Sequence, residues 1–522
     1  MNAVVVWDAS AASHLLSRVA FGGTAKQAAQ FAVRTPENIV SMLIEEARAA
    51  PAPAKPAWVR DPWVNTERVY PETTPAERME NHRKAGERQT RERNELRCWW
   101  LDEMIRTPAP LREVMTLFWH GHFTTEAKRM FVAQPLYTQN VALRTHALGN
   151  FRELLEAVTL DAAMMMYLNL EDSNAKKPNE NFARELLELF TVGIGNYGEK
   201  DIREVARALS GWTLDAPAGT AKRPTVADAG RSFCRDGLVP TFVKAKHDSG
   251  EKTIFGRTGR YGLRDVLEIV AAHPATAALV SGKLIAFFGV IDPKNKLRDR
   301  MAEAFIASDG DIARAMTVLL TSSEFYSDES RGTLIKSPVQ LLVGTCRQLQ
   351  LDVTATPSLA QLTAAMGQEL FNPPDVKGWP GGRDWICAGT LAVRYHLPEA
   401  LFDGREPDGF EPIATDRNFA LPADDKARRE LIARIRDFDR QRKAERKQDG
   451  FKVTFDPSKA FDGPIPEKPE ALVDALLVRM VAVAPRRDTR ATLIQAVAAA
   501  PAAERVAWAC RLILTTPEYQ LA

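Results

Sequence analysis

Apolar positions along this chain recur mostly at helical spacing. Residues 11–20 read as a first helix with Leu15, Leu16 and Val19 turned inward. Residues 77–97 are dense in charge of both signs, the pattern of an exposed helix held by close-range ion pairs. That stretch runs into Cys98-Trp99-Trp100, where burial must begin. Residues 111–119, 202–209, 263–271 and 311–320 are amphipathic, and 275–288 follow a proline suited to a helix entry. Strand signal is thin. Residues 241–246 and 252–255 alternate apolar and polar positions around His247-Asp248-Ser249-Gly250, which predicts one hairpin with its turn at that tetrapeptide. The expected fold is mostly α, a multi-helical globular protein with a small β-hairpin insertion.

A chain of 522 residues is long enough for a substantial core. The patterning divides it into a helical core over 1–400 with the hairpin near 241–256, a charged arm over 401–465, and C-terminal helices over 466–522 that pack on the core. Residues 50–62, rich in Ala and Pro, read as a linker or loop. Residues 428–446 are strongly basic, but acidic residues are interleaved and aromatics are few, so a solvated arm is favoured over a nucleic-acid patch. A short echo links residues 319–326 (LLTSSEFY) with 513–519 (ILTTPEY), each after an amphipathic helix.

Composition narrows the function classes. Net charge is +2, which points to neither nucleic acid nor an acidic membrane surface. The five cysteines are scattered and never form a CxxC pair, so they read as free thiols, not as a disulfide frame or zinc knuckle. The start, Met1 to Asp8, has no basic region and a short apolar run, unlike a signal peptide, which fits cytoplasmic residence. No stretch is long and apolar enough to span a bilayer. P-loop, dinucleotide, HExxH and GxSxG motifs are absent.

Four segments carry candidate chemistry. His120 and His122 suit a divalent transition metal if the helix ends near Trp119 and the chain turns extended; in a continuous helix, positions two apart point to nearly opposite sides. Otherwise one histidine caps the helix and the other bonds within the core. His247 and Asp248 place an imidazole beside a carboxylate at a loop tip, either as a third ligand with an orienting acid or as a turn in which Asp248 caps the backbone. The segment Pro178 to Gly193 reads as a helix with an apolar stripe (Phe182, Leu186, Leu189, Phe190) and a polar one (Asn181, Arg184, Glu185, Glu188). Arg184, Glu185 and Glu188 are candidates for general acid, base or metal ligand, and Arg184 with Glu188 also fits an i,i+4 ion pair. The Pro-, Gly- and Trp-rich run from Asn372 to Trp385 reads as a rigid loop whose Trp379 and Trp385 either stack on a flat ligand such as a sugar or plug the core.

These segments, in this order, resemble the bacterial domain-of-unknown-function family 1800. The resemblance rests on His14-Leu15-Leu16 through Phe21-Gly22, Phe118 to Thr124, Pro178 to Gly193, Ala206 to Thr213, His247 to Gly256, Ser337-Pro338 and Pro374 to Trp385. Gly121 departs from the asparagine expected between the two histidines. The resemblance implies a largely helical bacterial protein without an established activity. It also implies a family whose members are often exported, and whose genes often sit beside relatives of sulfatases and alkaline phosphatases. Two readings follow. One is a hydrolase, metal-dependent or acid/base, built from His120, His122, Glu185, Glu188, His247 and Asp248 with the two tryptophans at the border. The other is a non-catalytic binding or assembly partner of a sulfatase-like protein. A nucleic-acid partner is not expected.

Overall fold

A computed structural model describes residues 6–60, 74–130, 133–215, 238–403 and 453–522. Helices begin where side chains satisfy the first free backbone N–H groups. Asp8 accepts from the Ala11 N–H at 2.8 Å. Thr24, Thr74 and Ser337 each form a reciprocal capping box with the residue three positions on. The charged segment is a helix of 32 residues, Pro75–Arg106, laced with i,i+4 pairs such as Arg88–Glu92 and Arg91–Glu95. It sinks into the interior at Trp100, which is fully buried.

The helix Pro110–His122 lies at the centre of the core, and every side chain from Pro110 to His120 is buried. Polar groups on such a helix must find partners inside the protein. Glu113 accepts from Arg144 Nε at 2.7 Å and Nη2 at 2.8 Å, and from the Trp100 indole N–H at 2.8 Å. Arg112 donates to the Ala50 and Pro51 carbonyls, pinning the Ala- and Pro-rich segment to the core. Arg18, buried on the first helix Ala9–Val19, donates to the carbonyls of Phe288, Ser330 and Ala522 and so ties three distant parts of the chain together.

The strands form three short antiparallel pairs: β1 (Trp212–Asp215) with β2 (Val239–Phe242), β3 (Lys252–Ile254) with β4 (Arg257–Gly259), and β5 (Asp352–Val353) with β6 (Val453–Thr454). The mostly helical expectation holds, but the pairing differs from the sequence reading. β2 is already paired through Trp212↔Phe242, so it cannot also ladder with β3. β3 instead turns back on β4 through Phe255 (φ 46°) and Gly256 (φ 75°), the positive-φ pair whose twist matches a two-residue hairpin. His247-Asp248-Ser249-Gly250 is therefore a connection between two ladders.

Of the charged arm, residues 404–452 lie outside the described residues. The stretch that follows packs on the body: β6 pairs with β5, Ala460 is buried, and Asp462 accepts the Lys26 N–H at 2.7 Å. The echo is a shared local device. Ser322 donates to the Leu319 carbonyl and accepts the Phe325 N–H; Thr516 donates to Ile513 and accepts the Tyr519 N–H. Both stop a helix by offering its last turn a hydroxyl in place of further backbone.

Candidate functional site

The helix Pro110–His122 runs through Gly121 without a break, and Phe123 closes it by donating to the Trp119 carbonyl. The two imidazoles therefore leave on different sides. His120 is fully buried, its ring edge-on to Trp100 at 5.1 Å and close to Phe371 and Trp379. Its Nε2 accepts the Phe371 N–H at 3.0 Å, and burial pushes its pKa down to about 3. His122 faces Phe190. Its Nε2 lies 3.1 Å from the Phe190 carbonyl and its Nδ1 lies 3.0 Å from Lys283 Nζ, which also donates to the Leu189 carbonyl at 2.8 Å. Burial, and then the Lys283 charge, hold His122 well below the usual imidazole range; burial pushes Lys283 down to about 8.

His247 belongs to a third setting. Its Nδ1 lies 2.9 Å from the Ser210 carbonyl, its ring is edge-on to Phe242, and a Cβ on Gly211 (φ +96°) would come within 2.9 Å of its own. Asp248 takes a two-pronged bond from Arg207 (2.8 and 3.2 Å) and accepts the Gly250 N–H, and Arg207 holds its carboxyl below the usual range. Asp248 thus caps the turn. Among the described residues no three His, Cys, Asp or Glu side chains are grouped to hold a metal ion. The expected convergence of His120, His122 and His247 gives way to three separate packing roles, because the helix does not end at Trp119 and His247 is held against β1 and β2.

The polar stripe after Pro178 does form a face. Asn179 caps the helix by accepting the Asn181 N–H, Glu180–Glu185 is α-helical, and Leu186–Phe190 continues as a single π turn. Such wide turns are frequent at functional sites. Phe182, Ala183, Leu186, Leu187 and Phe190 face the core. Lys283 and His122 satisfy the last carbonyls, where a cation also suits the negative end of the helix dipole. Gly193, at φ +80°, donates to the Leu187 carbonyl and completes the exit. On the outer side Arg184 pairs with Glu199 at 2.8 Å and approaches Glu180 at 3.6 Å, so the Arg184–Glu188 pair gives way to these partners. Glu188 accepts the Tyr197 hydroxyl at 2.8 Å. Glu185 is half-buried, and its carboxyl makes no hydrogen bond or ion pair with the described residues. Burial raises its proton affinity first and Glu188 second, while Arg184 and Lys377 act in the opposite direction.

Lys377 comes from the Pro-, Gly- and Trp-rich loop, which crosses the end of the Pro110–His122 helix. His120 and Ala127 fix it at Phe371, and the Thr124 hydroxyl donates to Val376. Trp379 is half-buried against His120, whereas Trp385 is buried beside Gly367 and plugs the loop from below. Of the two indoles only Trp379 borders the surface substantially. Tyr167 sits within electrostatic reach of Glu126, Arg129, Asp375 and Glu185, with the Arg129 guanidinium 5.4 Å from its ring centre. Lys377 and Asp375 lay within the loop singled out from the sequence; Tyr167, Glu126 and Arg129 carried no local signal. Two further carboxyls are pushed up to about 7 by burial. Asp161 caps a helix beside a cavity of about 230 Å³, and Glu171 lies in the short turn after Asn169.

Residues 14–521 match the family described as Protein of unknown function (DUF1800). The chain belongs to DUF1800. No curated protein and no solved structure matches it. In this DUF1800 protein every site residue named above lies within the matched span. No single helix among the described residues is long and apolar enough to cross a membrane.

Proposed function

We propose that this DUF1800 protein is a hydrolase that works by proton transfer at the Glu185–Glu188 face. The observation that carries the reading is Glu185: a half-buried carboxyl of raised proton affinity, without a bonded partner among the described residues, one helical turn from a second carboxylate. Two carboxyls whose surroundings differ in this way suit an acid and a base. Glu185 is the group that gives a proton to the leaving atom. Glu188, oriented by the Tyr197 hydroxyl, is the group that takes one from water. Lys377 lies close enough to Glu185 to steady charge on it after the proton leaves. Trp379 borders the substrate.

The test is turnover of a panel of chromogenic glycosides, esters and phosphoesters by the purified chain. Glu185→Gln should lower the rate by about 10²–10⁴-fold with the fold intact. A substrate turned over equally well by that variant would sink the assignment. Metal analysis of the same preparation reads whether the chemistry is metal-dependent.

A second reading, a non-catalytic partner of a sulfatase-like protein, draws on the dispersal of His120, His122, His247 and Asp248 into packing roles. It expects stable co-purification with such a partner, unaffected by Glu185→Gln.

A further inference from the structure

Two glycines meet where the loop crosses the end of the Pro110–His122 helix, and only one is demanded by the fold. Gly378 has φ +87°, and a Cβ there would lie 2.2 Å from the Gly121 carbonyl oxygen. No side chain fits that approach. Gly121 is different. It stands in the last turn of a helix and its φ is not positive. A Cβ built on it would meet one neighbouring side-chain atom, Trp379 Cε3, at 3.9 Å, an ordinary van der Waals distance. Alanine would fit and would favour the helix, because glycine loses more chain entropy on folding. The residues on either side, His120 and His122, are buried, yet Gly121 itself is partly open. Where that side chain would begin, Trp379 Cε3 is the one neighbouring side-chain atom within 4 Å, which leaves a notch bordered by the edge of the Trp379 indole.

We propose that this notch is a subsite for one sugar ring of a neutral carbohydrate, stacked on Trp379. The proposal deepens the hydrolase reading of the Glu185 face and rests on it. A pyranose ring has an apolar C–H face and a rim of hydroxyls. An indole is an apolar plate that accepts such a face. Asp375 and Lys377, on the same loop just before Trp379, offer the rim an acceptor and a donor, and Glu185 lies within electrostatic reach of Lys377. Carboxylates prevail around Tyr167 and Glu185: with Arg129 paired to Glu126 and Arg184 to Glu199, the carboxyls of Asp375, Glu185 and Glu188 stand against Lys377. That balance disfavours phosphate- or sulfate-bearing ligands.

The experiment is calorimetric titration of the full chain with cellohexaose and with chitohexaose, alongside thermal melts of each variant. The wild type should bind at least one of the two. Gly121→Gln, which fills the notch, and Trp379→Ala should each weaken that binding by about tenfold or more. Gly121→Ala should raise the melting temperature and weaken binding by a smaller factor; it carries the affinity test if Gly121→Gln does not fold. The proposal is overturned if neither hexasaccharide binds, if the filled notch binds as the wild type does, or if Gly121→Ala lowers the melting temperature, which would make the glycine a requirement of the fold. Glu185→Gln separates the two readings. Sugar binding retained by that variant, with no hydrolysis of the bound sugar by the wild type, would overturn the hydrolase and leave the subsite standing.

Discussion

Glu113 and Glu185 are both drawn out of water, and their surroundings treat them oppositely. Glu113, inside the Pro110–His122 helix, is saturated by a two-pronged guanidinium and an indole N–H. Glu185, on the outer side of the Glu180–Phe190 segment, is half-buried with no bonded partner among the described residues. A charge in a low-dielectric interior persists only when it is paired and hydrogen-bonded. The first region follows that rule and specifies the core. The second departs from it at a π turn beside a rigid loop, and the proposed proton transfer gives that departure a use. The histidines belong with the first region, although their residue type alone pointed to the second.

The comparison is broken most directly at Glu113. Glu113→Ala leaves Arg144 buried without its carboxylate and should cost about 3–5 kcal/mol in chemical denaturation. A loss under about 1 kcal/mol would mean that the buried pair specifies little. Lys283→Met comes next. It orphans the Leu189 carbonyl and His122 Nδ1, for about 1–3 kcal/mol. It also has a pH signature. The folded pKa of Lys283, about 8, lies below its ordinary 10.5, so between those values the unfolded chain binds more protons. The lysine's contribution is thus least favourable below about pH 8 and improves as pH rises through that window. The methionine variant should lack the rise in denaturant melts run across it.

Glu185→Gln should move stability by only about 0.5 kcal/mol, towards greater stability at neutral pH. The sign follows from a folded pKa raised above the unfolded one: the favourable contribution of this carboxyl exists at acid pH and is lost as pH climbs through the folded value. Under the proposed hydrolase reading, removing its charge costs the fold nothing while removing the proton donor, the trade expected of a functional group. Equal destabilisation by Glu113→Ala and Glu185→Gln would erase the contrast. A comparably small effect belongs to Arg184→Ala. Its pairing with Glu199 is exposed and should be worth about 0.2–1 kcal/mol by double-mutant cycle.

The helices were legible because their signals are local. The charge pairs of residues 77–97, the apolar stripe of Phe182, Leu186, Leu189 and Phe190, and Pro274 before the next helix all act within a few positions. What escaped is set by contacts far along the chain. Nothing near His120 announces that Trp100 and Phe371 close over it. Nothing near Phe242 announces that its ladder partner is Trp212. A helix end near Trp119 was one of two readings left open, and Gly121 favours it, yet surrounding packing overrides the weak propensity of one glycine and the helix runs on to His122. The polar face of Arg184, Glu185 and Glu188 was visible as a stripe, but its division into one tethered arginine, one bonded carboxylate and one free carboxyl depends on Glu199, Tyr197 and Lys377, which no spacing rule supplies.

The Arg18 clasp also has a consequence in time. Its contacts with Phe288, Ser330 and Ala522 span 270, 312 and 504 positions. At about 5–20 residues per second of synthesis, roughly 25–100 s separate the appearance of Arg18 from that of its last acceptor. Throughout that interval the first helix carries a guanidinium whose destination does not yet exist, so the helix cannot settle into its final place as it leaves the ribosome. The N-terminal segment of this protein is made early and finished late.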